Sequence, residues 1–261
     1  MYNPSFRVKR NGVPILSGKE IDAIGNRFIA DFQPEVLSHP APVNIEAFIE
    51  CYLGMTQDYQ FLSHNGIYLG MTVFNDTNRV VVFSPQTNRA EYISAKARTV
   101  IIDNRLLADN QQHRYRFTLG HEGGHDIFHS AYYSYNPAQL TMDNTVLAPM
   151  IQCRVDNQTA RKKPTTWDDH DWMEWQANRF SSALLMPEDA VRSIADKYLL
   201  QGKLKNPANI GMLVAKISGI FDVSVTAAAI RLKDLGYISK NDSSDYSSGS
   251  ALMDFAEVVA I

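Results

Sequence analysis

The sequence predicts an α+β fold, a mostly antiparallel sheet packed on helices, followed by a C-terminal helical subdomain. Three observations predict it. Apolar residues recur at helical spacing before Leu53 and again after Arg114. From Asp58 to Asp103, short β-branched and aromatic runs alternate with turn-forming residues instead. Beyond Pro207 the spacing is helical, broken once between Ser218 and Ser224.

Taken in order, Ile21 to Asp31 reads as an amphipathic helix with Ile21, Ile24, Phe28 and Ile29 on one side. Ile45 to Leu53 reads as a second, and Asn44 suits its N-cap, where a side-chain oxygen accepts from an otherwise orphaned helix N–H. Tyr59 to Leu62, Ile67 to Phe74, Arg79 to Phe83 and Thr99 to Ile102 read as strands. They are separated by His64-Asn65-Gly66, by Asn75 to Asn78 and by a loop from Pro85 to Ala90. Connections this short predict antiparallel neighbours, with a longer link into the last strand. Tyr115 to His129 reads as a helix. A further helical run leads through Trp175, Phe180, Ala183, Leu184 and Leu185 to Met186-Pro187, where proline biases its predecessor away from helical geometry.

Between those helices Ser130 to Asp171 is irregular, with Arg161-Lys162-Lys163-Pro164 and then Asp168-Asp169-His170-Asp171. It reads as an insertion over or beside a cleft, limiting access to it. Pro207 to Ile238 reads as two helices around a turn, and Phe221 to Ala227 resembles the turn of a helix-turn-helix. Ala227, Ala228 and Ala229 lead the second helix and offer base edges little hydrogen bonding, so helix packing or partner contact is expected there rather than direct nucleic-acid binding. Ser239 to Ser250 is Ser/Asp/Gly-rich and reads as flexible. The expected organisation is residues 1–200 as one domain containing the 130–171 insertion, 201–238 as a helical subdomain and 239–261 as a tail.

A chain of 261 residues can bury one substantial core. A net charge of −3 gives no global attraction to nucleic acid or an acidic membrane. No apolar leader segment and no run long enough for a membrane span is present, and two cysteines make no disulfide framework. These features lead to the expectation of a cytoplasmic protein with no membrane partner.

Chemistry concentrates at His121-Glu122-Gly123-Gly124-His125. On a helix, residues i and i+4 share a face, so both imidazoles can reach one zinc ion. Glu122 beside them can take a proton from the attacking water. A catalytic zinc needs three protein ligands and an open position. The position six residues after His125 is Ala131, which closes the three-histidine route. His129 is at i+4 from His125, but helical drift of about 40° per four residues makes three stacked ligands a poor tetrahedral set. A buried or hydrogen-bonded structural role is expected for it. Glu174, on the second helical run, is the better third ligand. Asn178, one turn later, can hydrogen-bond the free nitrogen of a ligand histidine. The site is therefore read as a zincin-like one, with Glu122 as the catalytic base and His121, His125 and Glu174 as metal ligands.

Arg116-Phe-Thr-Leu-Gly-His121-Glu122-Gly-Gly-His125, followed by Glu174-Trp-Gln-Ala-Asn178-Arg-Phe-Ser-Ser-Ala-Leu-Leu-Met-Pro187, resembles the ImmA/IrrE family of bacterial metallopeptidases. The resemblance extends from about Ile21 to Gly236 and includes Pro42 to Glu46 and Thr99 to Asp103. It implies a gluzincin-like pattern with two histidines and a glutamate on zinc. It also implies a sheet edge that binds substrate as an added strand, and a protein substrate, often a DNA-binding helix-turn-helix repressor of a phage, mobile element or stress regulon. Two features depart from the family: the long gap from His125 to Glu174, and the Gly123-Gly124 pair, which costs about 1–2 kcal/mol of helix propensity.

Several residues carry secondary expectations. Cys153 can reach the open metal position and hold the site latent, or it is an idle thiol. His170 can reach the cleft from four residues before Glu174 and polarise a substrate carbonyl, or it is a helix-start or surface histidine. Tyr132, Tyr133 and Tyr135 can supply an oxyanion donor, with packing the expected role. Trp167, Trp172 and Trp175 are expected to pack the second helix on the core, and Arg114 and Arg116 to form a solvated or salt-bridged face, with a substrate contact as the alternative. The expected function is a zinc-dependent metalloendopeptidase. The alternative is a non-proteolytic regulatory or binding protein with a structural or latent zinc site.

Overall fold

A computed structural model describes residues 1–133, 164–202, 204 and 206–239, and the backbone of 150–154. The helices are α1 (Gly18–Phe32), α2 (Glu35–Ser38), α3 (Ile45–Ala47, continued by a π turn over Phe48–Tyr52), α4 (Gln112–Tyr133), α5 (Asp169–Leu185), α6 (Glu188–Leu200), α7 (Pro207–Phe221) and α8 (Val225–Asp234). The strands are β1 (Thr56–Gln60), β2 (Tyr68–Val73), β3 (Thr77–Ser84), β4 (Arg89–Ala95), β5 (Thr99–Asp103) and β6 (Met150–Arg154). The fold is mixed α+β.

By Cα proximity the chain forms two compact units, Met1–Ile21 with Asn44–Ser181, and Asp22–Val43 with Ser182–Ile261, so the division falls within α1 and α5. In the first unit a four-stranded sheet has the order β1-β5-β2-β6. Only its β1·β5 pair is parallel, while β5·β2 and β2·β6 are antiparallel. This corrects the expectation that successive strands are neighbours. The long connection from β1 to β5 allows a parallel crossover that a two-residue turn could not, and β5 then separates β1 from β2. β3 pairs instead with β4 in a two-stranded ribbon. β4 occupies sequence expected to be a link. Arg89-Ala-Glu-Tyr-Ile-Ser-Ala is largely solvent-exposed, so it lacks the buried alternation by which a strand is recognised. Leu62, Met71, Val73, Val80, Val82 and Ile101 form one core cluster.

The described parts of the expected 130–171 insertion are regular. α4 runs on to Tyr133, α5 begins at Asp169, and Met150–Arg154 adds β6 to the edge of the sheet beside β2. Residues 134–149 and 155–163, with Tyr135 and Arg161 to Lys163, lie outside the described residues, as does the tail from 240.

In the second unit the apolar side of α1 buries Ile24, Phe28 and Ile29. Arg231 on α8 is fully buried, donating to Asp22 Oδ1 at 2.5 Å and to Met186 O at 3.0 Å. A buried guanidinium is tolerated only with such partners. The turn between α7 and α8 is closed by Asp222, in the left-handed region (φ 52°), and by Ser224, whose side chain accepts from Ala227 N. No single helix among the described residues is long and apolar enough to cross a membrane.

Candidate metal centre

α4 lies on the sheet and is buried along most of its length, including the whole of His121 to His125. Polar and glycine residues in such a place are held by specific contacts. Arg98, in the left-handed region (φ 61°), clamps the residue after His125. Its Nε and Nη2 donate to Asp126 Oδ1 and Oδ2 at 3.1 and 2.7 Å, and Nη2 also donates to Leu53 O at 2.8 Å. The Gly123-Gly124 pair follows from close packing. A Cβ on Gly124 would lie 3.2 Å from Ala177 Cα and 3.2 Å from Phe180 Cδ1 of α5, and one on Gly120 would lie 2.7 Å from Ser181 Oγ. α5 thus approaches α4 along a seam of small residues, which brings the carboxyl of Glu174 against the two histidines.

His121 Nε2 and His125 Nε2 stand 2.9 Å apart. Glu174 Oε2 lies 3.6 Å from His121 Nε2, and its Oε1 lies 3.4 Å from His125 Nε2. One ligand atom from each of the three residues falls within 4.8 Å of the others, a grouping that can hold a metal ion. These three separations resemble the edges of one face of a tetrahedron, which are roughly 3.3 Å for ligands about 2.0–2.1 Å from a common centre.

The electrostatics favour a cation. Burial pushes His121 down to about 4, with His125 beside it adding to the effect, while the Glu174 carboxylate and a hydrogen bond to Asn178 oppose it. Burial takes His125 down to about 3, and the charge of nearby His170 contributes. Both imidazoles are therefore neutral near pH 7, as ligands must be. The proximity of Glu174 to them is then no ion pair, and Glu174 Oε1, buried, accepts no hydrogen bond.

Glu122 is fully buried. Thr72 Oγ1 on β2 donates to its Oε2 at 2.6 Å, while its Oε1, also buried, has no hydrogen-bond partner. Burial pushes this carboxyl well above the usual carboxylate range. The Thr72 bond opposes that shift and the neighbouring Glu174 adds to it. The result is a carboxyl anchored by one oxygen, with the other buried and without a hydrogen-bond partner.

His121, Glu122, His125 and Glu174 thus lie together, as the sequence predicts. Asn178 Oδ1 accepts from His121 Nδ1 at 3.0 Å, the role expected for it. His129 is buried, its Nδ1 2.8 Å from His125 Nδ1 and its Nε2 3.0 Å from Gln176 Oε1, the structural position expected. His170 is exposed in the first turn of α5. Tyr133 packs in an apolar cluster with Val13 and Met173 and stacks on Phe74 at 4.5 Å. Arg116 is buried, so of the solvated or salt-bridged face expected for it the solvated reading does not hold, because the whole middle of α4 is covered. Trp167, Trp172 and Trp175 pack on one another, and Met173, Ala177 and Phe180 take the core side of α5. Cys153 is paired with Gly70 in the β2·β6 register, and its side chain lies outside the described residues. Thr72, Gly70 and Gln176 were not singled out by sequence. A hydroxyl between Met71 and Val73 in an apolar strand was the available signal for Thr72.

No model of a known protein family matches the chain, and no curated protein matches it.

Proposed function

We propose that this chain is a zinc-dependent metalloendopeptidase, with His121, His125 and Glu174 as ligands and Glu122 as the catalytic acid–base. The observation that carries the reading is the buried Glu122 carboxyl beside a three-residue N, N, O donor set, anchored by Thr72 at one oxygen and unpartnered at the other. Among the described residues three potential ligands are grouped, the number of protein ligands that a catalytic zinc site uses. Two imidazoles and a carboxylate suit zinc better than calcium or magnesium, which favour oxygen ligands.

Bound zinc supplies Lewis acidity, which makes water a nucleophile near neutral pH. The protein supplies the proton path. Glu122 Oε1 accepts the proton of the attacking water as its oxygen bonds to the peptide carbonyl carbon, and returns it to the leaving nitrogen as the C–N bond breaks. Thr72 holds Oε2 and so aims Oε1. A raised carboxyl pKa brings this group nearer to neutrality, where acid–base exchange is most effective. The resemblance to ImmA/IrrE proteins supports a protein substrate, with helix-turn-helix repressors the first class to test.

Metal analysis of the purified chain is expected to find about one zinc per molecule, and Glu174→Ala to lose most of it. Co-incubation with candidate repressors is expected to give defined cleavage. Glu122→Gln, which keeps the shape but cannot accept the proton, is expected to retain fold and zinc while turnover drops about 10²- to 10⁴-fold. Equal zinc retention by Glu174→Ala, or wild-type cleavage by Glu122→Gln, overturns the assignment.

A further inference from the structure

The hydrogen bonds behind His125 have only one consistent direction. Pro14 O, a buried main-chain carbonyl, can only accept, and Gln176 Nε2 donates to it at 2.9 Å. That orients the Gln176 amide, so its Oε1 faces His129 Nε2 at 3.0 Å and must receive a proton from it. A neutral imidazole carries one N–H, so His129 Nδ1 is an acceptor. His125 Nδ1, 2.8 Å away, must therefore be the donor. The lone pair of His125 is left on Nε2. His121 reaches the same state independently, because the Asn178 carbonyl oxygen receives its Nδ1–H. The two Nε2 atoms that face each other at 2.9 Å are then both acceptors, and they do not bond to one another. A cation held between them would satisfy both lone pairs.

We infer that His129 and Gln176 are positioning residues that, with the Pro14 carbonyl as terminal acceptor, lock His125 in its Nδ1–H tautomer and so present Nε2 to the metal. The inference rests on the metal-centre reading above and extends it to residues that touch no metal. It also explains two otherwise unexplained buried polar side chains, since His129 and Gln176 are 0% and 1% exposed. The N-terminal segment becomes part of the centre, held over the same helices by Val13 in the cluster with Tyr133 and Met173, and by Phe6 edge-on to Phe128 at 5.5 Å. Outer partners of ligand histidines typically contribute 10- to 100-fold in metal affinity.

The test is a zinc competition titration with a chelator, combined with ¹⁵N NMR of the imidazoles. In the metal-free wild type, His125 is expected as the Nδ1–H tautomer and His129 as Nε2–H, with the His125 Nδ1–H slow to exchange. His129→Phe is expected to weaken zinc binding 10- to 100-fold and to abolish that protected proton. His129→Asn, which restores an acceptor near the Nδ1 position, is expected to recover most of the affinity. Gln176→Met is expected to cause a smaller loss in the same direction. An Nε2–H tautomer at His125 in the wild type overturns the inference without any variant, as does wild-type zinc affinity in a folded His129→Phe. If the tautomers are as stated but the wild type binds no zinc, the relay stands and the metallopeptidase reading fails.

Discussion

A Cβ on Gly70 would lie 2.6 Å from Glu122 Oε1 and 3.0 Å from Glu122 Cγ, so the main chain of β2 is in direct contact with the carboxyl assigned to catalysis. Gly70 also adjoins an irregularity in the β2·β6 ladder, where the register shifts between Tyr68 and Gly70. Bulges of this kind re-aim a strand beside functional sites. Gly70→Ala is expected to fold with some loss of stability, because the clash falls on side-chain atoms, Glu122 Oε1 and Cγ and Thr118 Cγ2, rather than on main chain. It is expected to retain zinc, because no ligand is touched. Displacing Oε1 is expected to cost about 10²-fold in turnover, the scale of an ångström-sized misplacement of a reacting group. Wild-type turnover with an intact zinc content would show that Oε1 is not the reacting oxygen.

Thr72 carries the opposing half of that arrangement. Thr72→Val keeps the volume but leaves Glu122 Oε2 buried without its donor, at a cost of about 1–3 kcal/mol, read as a lower denaturant midpoint. The Thr72 bond favours the charged carboxylate, so its loss raises the pKa of Glu122 further. The base must be ionised to act, and the acid limb of the pH–rate profile is therefore expected to move to higher pH. Thr72→Ser should return it. An unmoved limb would mean that this limb does not report Glu122.

Much of this site is legible in the sequence because it lies within two helices. The i, i+4 relation of His121 and His125, and that of Glu174 and Asn178, follow from helical geometry alone. The contributions of Gly70, Thr72 and Pro14 depend on strand order and chain crossing, which local periodicity does not encode. The sheet shows the same limit. The segments of β1, β2, β3 and β5 are visible as apolar runs, but β5 inserts between β1 and β2 through pairings distant in sequence. α6, which follows Pro187 directly, buries Ala190, Val191, Ile194 and Ala195 at helical spacing, but two of these four are alanines, which carry little apolar signal. Gly123-Gly124 looked like a defect in a helix. Its reason lies in Ile49, Ala177 and Phe180, which are contributed by other elements.

The metal-free chain has a predictable acid weakness. Burial lowers His121 to about 4 and His125 to about 3 from 6.5. Below about pH 6.5 the unfolded chain takes up protons at these imidazoles, and the folded chain does not until about pH 4. Their contribution to stability is therefore fully present above 6.5 and falls as the pH drops through that window, with a slope near pH 5 approaching two protons per molecule; buried His129, also lowered well below 6.5, adds to this slope and Glu122, raised by burial, opposes it. Saturating zinc binds only neutral imidazole and is expected to move the fall to lower pH. Denaturant midpoints of the metal-free protein that stay flat from pH 7 to 4.5 would refute the burial of both groups as neutral species.

The seam between α4 and α5 gives a prediction in which two neighbouring glycines must differ. Replacing either Gly123 or Gly124 by alanine gains about 1 kcal/mol of helix propensity. A Cβ on Gly124 meets Ala177 Cα and Phe180 Cδ1 at 3.2 Å each, and Ala177 O at 3.4 Å, so α5 must retreat by a few tenths of an ångström. Glu174 is one turn before Ala177 on α5, and its carboxyl oxygens lie only 3.4 and 3.6 Å from the histidine nitrogens. Any retreat therefore opens the ligand triangle. A Cβ on Gly123 meets Ile49 Cδ1 at 2.6 Å, the end of a side chain that can rotate away without moving α5. The two variants are expected to melt within a few degrees of the wild type, because propensity gain and crowding oppose each other. Zinc affinity is expected to separate them: about tenfold weaker for Gly124→Ala and near wild type for Gly123→Ala. Equal affinities in the two would mean that helix separation does not set the position of Glu174.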